Sequence, residues 1–244
     1  MGYERGCSTD LAVSVTKDDG WSGAGPLMAD SVTGDGSRPC LDFWFDFAST
    51  YSYLAAMRIG ASAQPRGVEI RWRPFLLGPI FKAQGWETSP FNIFPDKGRY
   101  MWRDMERLAR AQGLALVQPR PFPQTSLLAA RAALTQAVAP CKVEFCKGVF
   151  ESGFAEGLSI GEPPILAGLA QRLGLDADAM LAEAASGPVK EQLRAETAEA
   201  QRLGIFGAPS FVAPDGELFW GNDRLDQALA WAAQRAASPL TGSG

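Results

Sequence analysis

Apolar residues in this chain recur with two different periods, and the order of those periods outlines a fold. "CLDFWFDF" (residues 40–47) is a nearly unbroken apolar run bounded by Pro39 and the Ala48-Ser49-Thr50 turn, which predicts a buried strand. In "TYSYLAAMRIGASAQ" (50–64) Tyr53, Leu54, Met57 and Ala61 recur near helical spacing, and Pro65 and Gly67 end the helix they predict. "VEIRWRPFLL" (68–77) then alternates Val68, Ile70 and Trp72 with Glu69, Arg71 and Arg73, as a strand with one wet face does. Strand, helix and strand in so short a stretch make a βαβ unit, with parallel strands and a right-handed crossover.

Between about 80 and 203 the period turns helical. Helices are predicted over 98–113, 126–140, 143–157, 163–174, 176–186 and 188–204, each closed by Gly or Pro except the fifth, which Gly187-Pro188 follows. The strand pattern returns in "APSFVAP" (208–214) and "LFWG" (218–221), and the Pro-Asp-Gly between them signals a hairpin. A last helix covers "NDRLDQALAWAAQRAA" (222–237), with Leu225, Ala228, Leu229 and Ala232 on one face and Asn222 or Asp223 as its cap. The order βαβ, helices, ββα is the thioredoxin-like plan, an α/β fold into which a large all-helical domain is inserted. Residues 40–79 and 204–237 are the expected thioredoxin-like domain and 80–203 the inserted one. Residues 1–39, rich in Gly, Ser, Asp and Thr without a period, are expected to be a mobile N-terminal extension, and 238–244 a flexible tail.

Composition narrows the chemistry. A net charge of −4 with only 20% charged residues gives no basic footprint, so no nucleic-acid partner is expected. No stretch approaches the roughly 18 apolar residues of a membrane span, so no membrane partner is expected either. The first 25 residues lack a basic segment followed by an apolar one, so no signal peptide is expected, and a cytoplasmic location with reduced thiols follows.

The chain has no histidine, which excludes Ser-His-Asp and Cys-His catalysis by its own side chains and any His-bearing zinc site. Its cysteines, Cys7, Cys40, Cys141 and Cys146, include no C-x-x-C pair. In thioredoxin-like enzymes that motif stands where the first strand enters the first helix, so that the helix dipole stabilises a thiolate. Here those positions are Ser49-Thr50-Tyr51-Ser52, and disulfide exchange, which needs two sulfurs, is excluded. The site can still stabilise a thiolate that a ligand supplies.

Four segments in order, "DFWFDFASTYSYLA" (42–55), "PFNIFPDKGRYMWRD" (90–104), "FGAPSFV" (206–212) and "FWGNDRL" (219–225), resemble the 2-hydroxychromene-2-carboxylate isomerases. These are relatives of kappa-class glutathione transferases and of the DsbA branch of the thioredoxin superfamily. The resemblance implies a glutathione cofactor, a small aromatic anionic substrate and a homodimer. Ser49 matches the serine that donates a hydrogen bond to the glutathione sulfur. Pro209 matches a cis-proline, and Ala208 before it the residue whose backbone meets the cysteinyl part of glutathione. Asn222 and Asp223 match positions at the γ-glutamyl end, and Lys97 a lysine near the glycyl carboxylate or the anionic substrate.

The demand on such a site can be sized. Lowering a thiol pKa from about 8.5 to about 6.5 requires about 2.7 kcal/mol. A helix N-terminus contributes about 0.3–1 kcal/mol, up to ~2, and a hydrogen bond to a charged acceptor about 1.5–3 kcal/mol. The implied activity is glutathione-dependent isomerisation; a kappa-like transferase and a non-catalytic glutathione-binding module are the alternatives. Two departures from the family pattern bear on the acceptor: Thr50 stands where a proline is usual, and Trp86-Glu87 where many relatives carry an amide.

Overall fold

The structure, a computed structural model, describes residues 38–237, and the expected flexible tail and nearly all of the expected N-terminal extension lie outside that range. Strand β1 (Cys40–Phe45) runs parallel to β2 (Glu69–Pro74), with helix α1 (Thr50–Ala63) crossing between them, as the sequence periods predict. Strands β3 (Ser210–Val212) and β4 (Leu218–Trp220) form the hairpin, and β3 lies antiparallel to β1 in a sheet of order β2-β1-β3-β4. Helix α10 (Leu225–Ala237) closes the chain of described elements.

The central strand is apolar because both of its faces are covered. Leu41, Phe43 and Phe45 point into the main core with Tyr53, Leu54 and Ile59 of α1 and Leu225 and Leu229 of α10. Trp44 points the other way, into a smaller cluster with Phe75, Ile80, Ala200 and Ile205. Edge strand β2 keeps its alternation, with Trp72 buried and Glu69 and Arg71 exposed.

Between β2 and β3 come eight helices: α2 (Leu77–Ala83), α3 (Pro90–Ile93), α4 (Pro95–Ala111), α5 (Leu127–Ala132), α6 (Lys142–Phe154), α7 (Pro163–Arg172), α8 (Ala177–Ala184) and α9 (Gly187–Arg202). Their core is continuous with that of the sheet, because Phe150 of α6 packs on Phe45 and on Phe47 at 5.7 and 5.0 Å between ring centres. Four details differ from the periodicity. The stretch 68–77 stops being a strand at Pro74, and Leu77 already opens α2. Helix α3 carries no amphipathic repeat at all, being one turn long. Helix α4 starts at Pro95, so Lys97 lies in its first turn rather than in a loop. The predicted helix 126–140 ends at Ala132; Thr135 turns its hydroxyl onto the Ala132 carbonyl (2.7 Å), and the N–H groups of Gln136 and Ala137 donate to the Glu183 carboxylate at 2.8 and 3.3 Å.

Candidate active site

The elbow between β1 and α1 is a tight turn tied by its own polar groups. The Ser49 N–H donates to the Asp46 carbonyl at 2.9 Å, and the Asp46 carboxylate accepts from the Ala48 N–H, also at 2.9 Å. Ser49 is the N-cap of α1, in extended backbone geometry, and its Oγ accepts from the Ser52 N–H at 3.2 Å. The same hydroxyl donates to the Ala208 carbonyl at 3.0 Å, across 159 residues of sequence. Capping and a wider role therefore coexist in one side chain: the acceptor side of Oγ belongs to the helix, and its hydrogen to the neighbouring loop. Ser52 is fully buried beneath.

That loop, Phe206-Gly207-Ala208-Pro209, leads into β3, and the Ala208–Pro209 peptide bond is cis. The Pro209 carbonyl accepts from the Gly221 N–H at 2.9 Å, which draws the segment after β4 towards the elbow. Asn222 begins a single 3₁₀ turn there, whose N-cap is Gly221, at φ 110°. Neither Asn222 nor Asp223 caps the helix by its side chain. Instead Arg58, in the last turns of α1, donates Nε to Asn222 Oδ1 at 3.1 Å and a second N–H to the Asn222 carbonyl, and pairs with Asp226 at 2.9 Å. Asn222 is thereby buried and fixed, while Asp223 stays exposed with Arg224 3.4 Å away.

These parts meet at a cavity of about 1130 Å³, whose wall includes Ser49, Lys97, Ala208, Asn222 and Asp223. Of the six residues singled out in the sequence, only Pro209 stands behind the wall, where it shapes Ala208. Lys97 reaches in from the exposed first turn of α4, its ammonium 4.7 Å from the centre of the Phe94 ring. The rest of the wall is largely apolar and aromatic, formed among others by Leu77, Phe81, Trp86, Phe91 and Leu108. Phe206 and Trp220, both about half exposed, pack against each other in the wall with ring centres 4.8 Å apart and planes inclined by 59°. Gly207 leaves the room they need, since a Cβ there would run into the Trp220 indole.

Both sequence departures face this space. Thr50 is buried beneath the elbow and donates its hydroxyl to Met101 Sδ at 3.3 Å, so a side chain rather than a ring anchors the helix start. Glu87 lines the cavity. Its carboxylate is joined by that of Asp104, which takes the Tyr51 phenol at 3.0 Å and Arg107 at 2.9 Å. Burial, and then the hydrogen bond to Asp104, hold the Tyr51 phenol far above its ordinary range, so it is neutral at physiological pH.

Three contributors escaped the sequence reading. Asp46, only 4% exposed, lines the cavity, and one signal marked it: a carboxylate inside an otherwise apolar strand run. Arg58 was visible as the one charge within α1, but its partner lies 164 residues away. Arg224 carried no signal beyond its place next to Asp223.

The sequence from 40 to 230 matches the model of the DSBA-like thioredoxin domain family. The 2-hydroxychromene-2-carboxylate isomerase of Sphingobium xenophagum is 33% identical over 189 residues, covering 76% of this chain and 94% of that protein. Glutathione S-transferase kappa 1 of Homo sapiens is 25% identical over 213 residues, covering 82% and 93%. A solved structure of a 2-hydroxychromene-2-carboxylate isomerase superposes with a TM-score of 0.72 at 28% identity, covering 80% of this chain and 95% of its own. The chain belongs to the DSBA-like thioredoxin family and, within it, to the group that holds the 2-hydroxychromene-2-carboxylate isomerases. Among the described residues no helix is long and apolar enough to cross a membrane, and no three His, Cys, Asp or Glu side chains cluster as for a metal ion.

Proposed function

We propose that this protein is a glutathione-dependent isomerase that interconverts 2-hydroxychromene-2-carboxylate, or a close analogue, and trans-o-hydroxybenzylidenepyruvate. The observation that carries this reading is the Ser49 hydroxyl, held at the N-terminus of a 14-residue helix and bonded to the carbonyl before a cis-proline. Glutathione, when bound, supplies a thiolate that adds to an electron-poor carbon, allows rotation about the former double bond and is then eliminated.

The chain's own residues hold that thiolate. Ser49 and Ala208 satisfy each other at 3.0 Å, and one cysteinyl group offers a substitute to both: sulfur to the hydroxyl, and its N–H to the carbonyl. Exchanging one neutral hydrogen bond for two, one of them to an anion, favours the ionised ligand. The helix N-terminus adds its partial positive charge. Asp223 and Arg224 lie side by side on the wall and suit the ammonium and carboxylate of a γ-glutamyl group, with Asn222 fixed between them and α1. Lys97 takes the glycyl carboxylate or the anionic acceptor, and the aromatic wall excludes water from the reacting carbons. The same reading carries a homodimer and a cytoplasmic location.

One observation favours a second reading, kappa-type conjugation with release of the adduct. Glu87 and Asp104 put carboxylates into the wall where an anionic acceptor would bind, which suits a neutral electrophile better.

The test is Ser49→Ala, assayed with glutathione and the chromene by its absorbance. Removing one preorganised donor to a developing anion lowers turnover by about 10²–10³. Circular dichroism should remain native, because loss of a serine cap costs only about 1 kcal/mol. Unchanged turnover refutes the assignment, and a stable glutathione conjugate in place of isomerised product moves it to the transferase.

A further inference from the structure

Asp46 is a carboxylate in a place where the fold supplies no cation. Its two oxygens accept from the Ala48 N–H at 2.9 Å and the Leu77 N–H at 2.8 Å. These donors come from two segments that meet at the cavity, the elbow itself and the start of α2. Both groups donate, so an acceptor-only side chain satisfies them together. Neither of them is charged. The remaining charged side chains of the wall, Glu87, Lys97, Asp104, Asp223 and Arg224, bond elsewhere or to solvent.

The turn that holds Asp46 also holds Ser49. A turn closed by the Ser49 N–H to the Asp46 carbonyl keeps the two Cα atoms within about 7 Å. A buried anion at that range opposes a second anion at the serine.

We propose that Asp46 and the glutathione thiol share one proton, so that the site carries a single negative charge whichever of the two is ionised. The proposal rests on the reading that glutathione binds at Ser49. In the step it describes, the S–H bond breaks, its electron pair stays on sulfur, and the Asp46 carboxylate gains a proton. Elimination of the thiol at the end of a cycle reverses the transfer. Burial, opposed by the hydrogen bonds it accepts, holds the Asp46 carboxyl above its ordinary range, which is the direction such sharing needs. Thiolate formation then proceeds without building a second buried charge and without proton release to bulk water.

Calorimetry and thiolate absorbance test this together. Glutathione is titrated into the wild-type protein at neutral pH in buffers of different ionisation enthalpy, with the 240 nm band counting thiolate. The expected result is thiolate formation with far less than one proton released per thiolate. In Asp46→Asn the release should rise to one proton, and the pKa of the bound thiol should fall by about 1.7, the size of one removed charge near 7 Å at an effective dielectric of about 20. A full proton released by the wild type overturns the proposal, and needs no variant to fold. So does a folded Asp46→Asn that binds glutathione with an unchanged or raised thiol pKa, the result expected if Asp46 only braces the elbow. Absence of glutathione binding at millimolar concentration in the wild type overturns the glutathione reading itself, and this proposal with it.

Discussion

The cavity wall is made of two materials. Its polar groups near the elbow are backbone or side chains with several bonds: Ser49 between Ser52 and Ala208, Asp46 between two donors, Asn222 under Arg58. The rest of the wall is apolar surface and rings, among them Phe206 and Trp220, which flank the elbow's own loops at 46% and 52% exposure against 4% for Asp46. The contrast separates two tasks. A fixed set of polar groups suits a ligand whose binding geometry one ångström of slack would spoil. An apolar surface suits a ligand of variable shape, because it can change without disturbing that set.

The contrast breaks most visibly at Arg58. Its guanidinium satisfies both the side-chain and main-chain oxygens of a buried Asn222, 164 residues away. Arg58→Ala leaves those oxygens without their donor, at a cost of about 1–3 kcal/mol in the fixed geometry. Glutathione affinity should fall about tenfold or more by calorimetry, while turnover at saturating glutathione stays within about twofold. Equal affinity in the variant would mean that the γ-glutamyl end is not held by this brace.

A smaller effect belongs to the rings. Trp220→Ala removes a ring packed at a tilt on Phe206 with centres 4.8 Å apart, an interaction of about 0.5–1.5 kcal/mol. The acceptor KM should rise about threefold to tenfold, and the glutathione Kd should not move, since no side-chain bond of the elbow passes through the indole. A loss of glutathione affinity as large as that of Arg58→Ala would merge the rings and the polar groups into one binding set.

The same division decided what could be read in advance. Strand–helix–strand, the closing hairpin and the Ser49 junction are local patterns, written in period and turn residues, and they reappear with ends moved by a few residues. Helix α2 was hidden because "LGPIFKA" holds a glycine and a proline in seven residues, and its start is set by the bond from the Leu77 N–H to Asp46, 31 residues upstream. The alanine-rich 126–140 reads as one helix by propensity alone; Glu183, 47 residues further on, captures two N–H groups and turns the chain. The cavity assembles Ser49, Lys97, Ala208, Asn222 and Asp223, and its ordered segments were legible through the family resemblance. The groups that fix them, Asp46 and Arg58, were not, because each acts across a tertiary contact that no spacing announces.

The smallest expected effect concerns the protein's own sulfur, and it sharpens the idea that the thiolate comes from a ligand. Cys146 lies fully buried in α6, and burial pushes its thiol up to about 12, the nearby Lys142 ammonium only partly opposing this. At pH 8 such a thiol is ionised to about one part in ten thousand, against roughly a quarter for a free one at about 8.5. Iodoacetamide should therefore leave the Cys146 peptide unmodified by mass spectrometry in the native protein and alkylate it once the chain is unfolded. Treatment that does reach the more exposed Cys40 and Cys141 should leave turnover unchanged, since neither lines the cavity. Loss of activity that tracks alkylation of any of the three would instead place a protein thiol in the chemistry, and the elbow would need to be read again with that sulfur in mind.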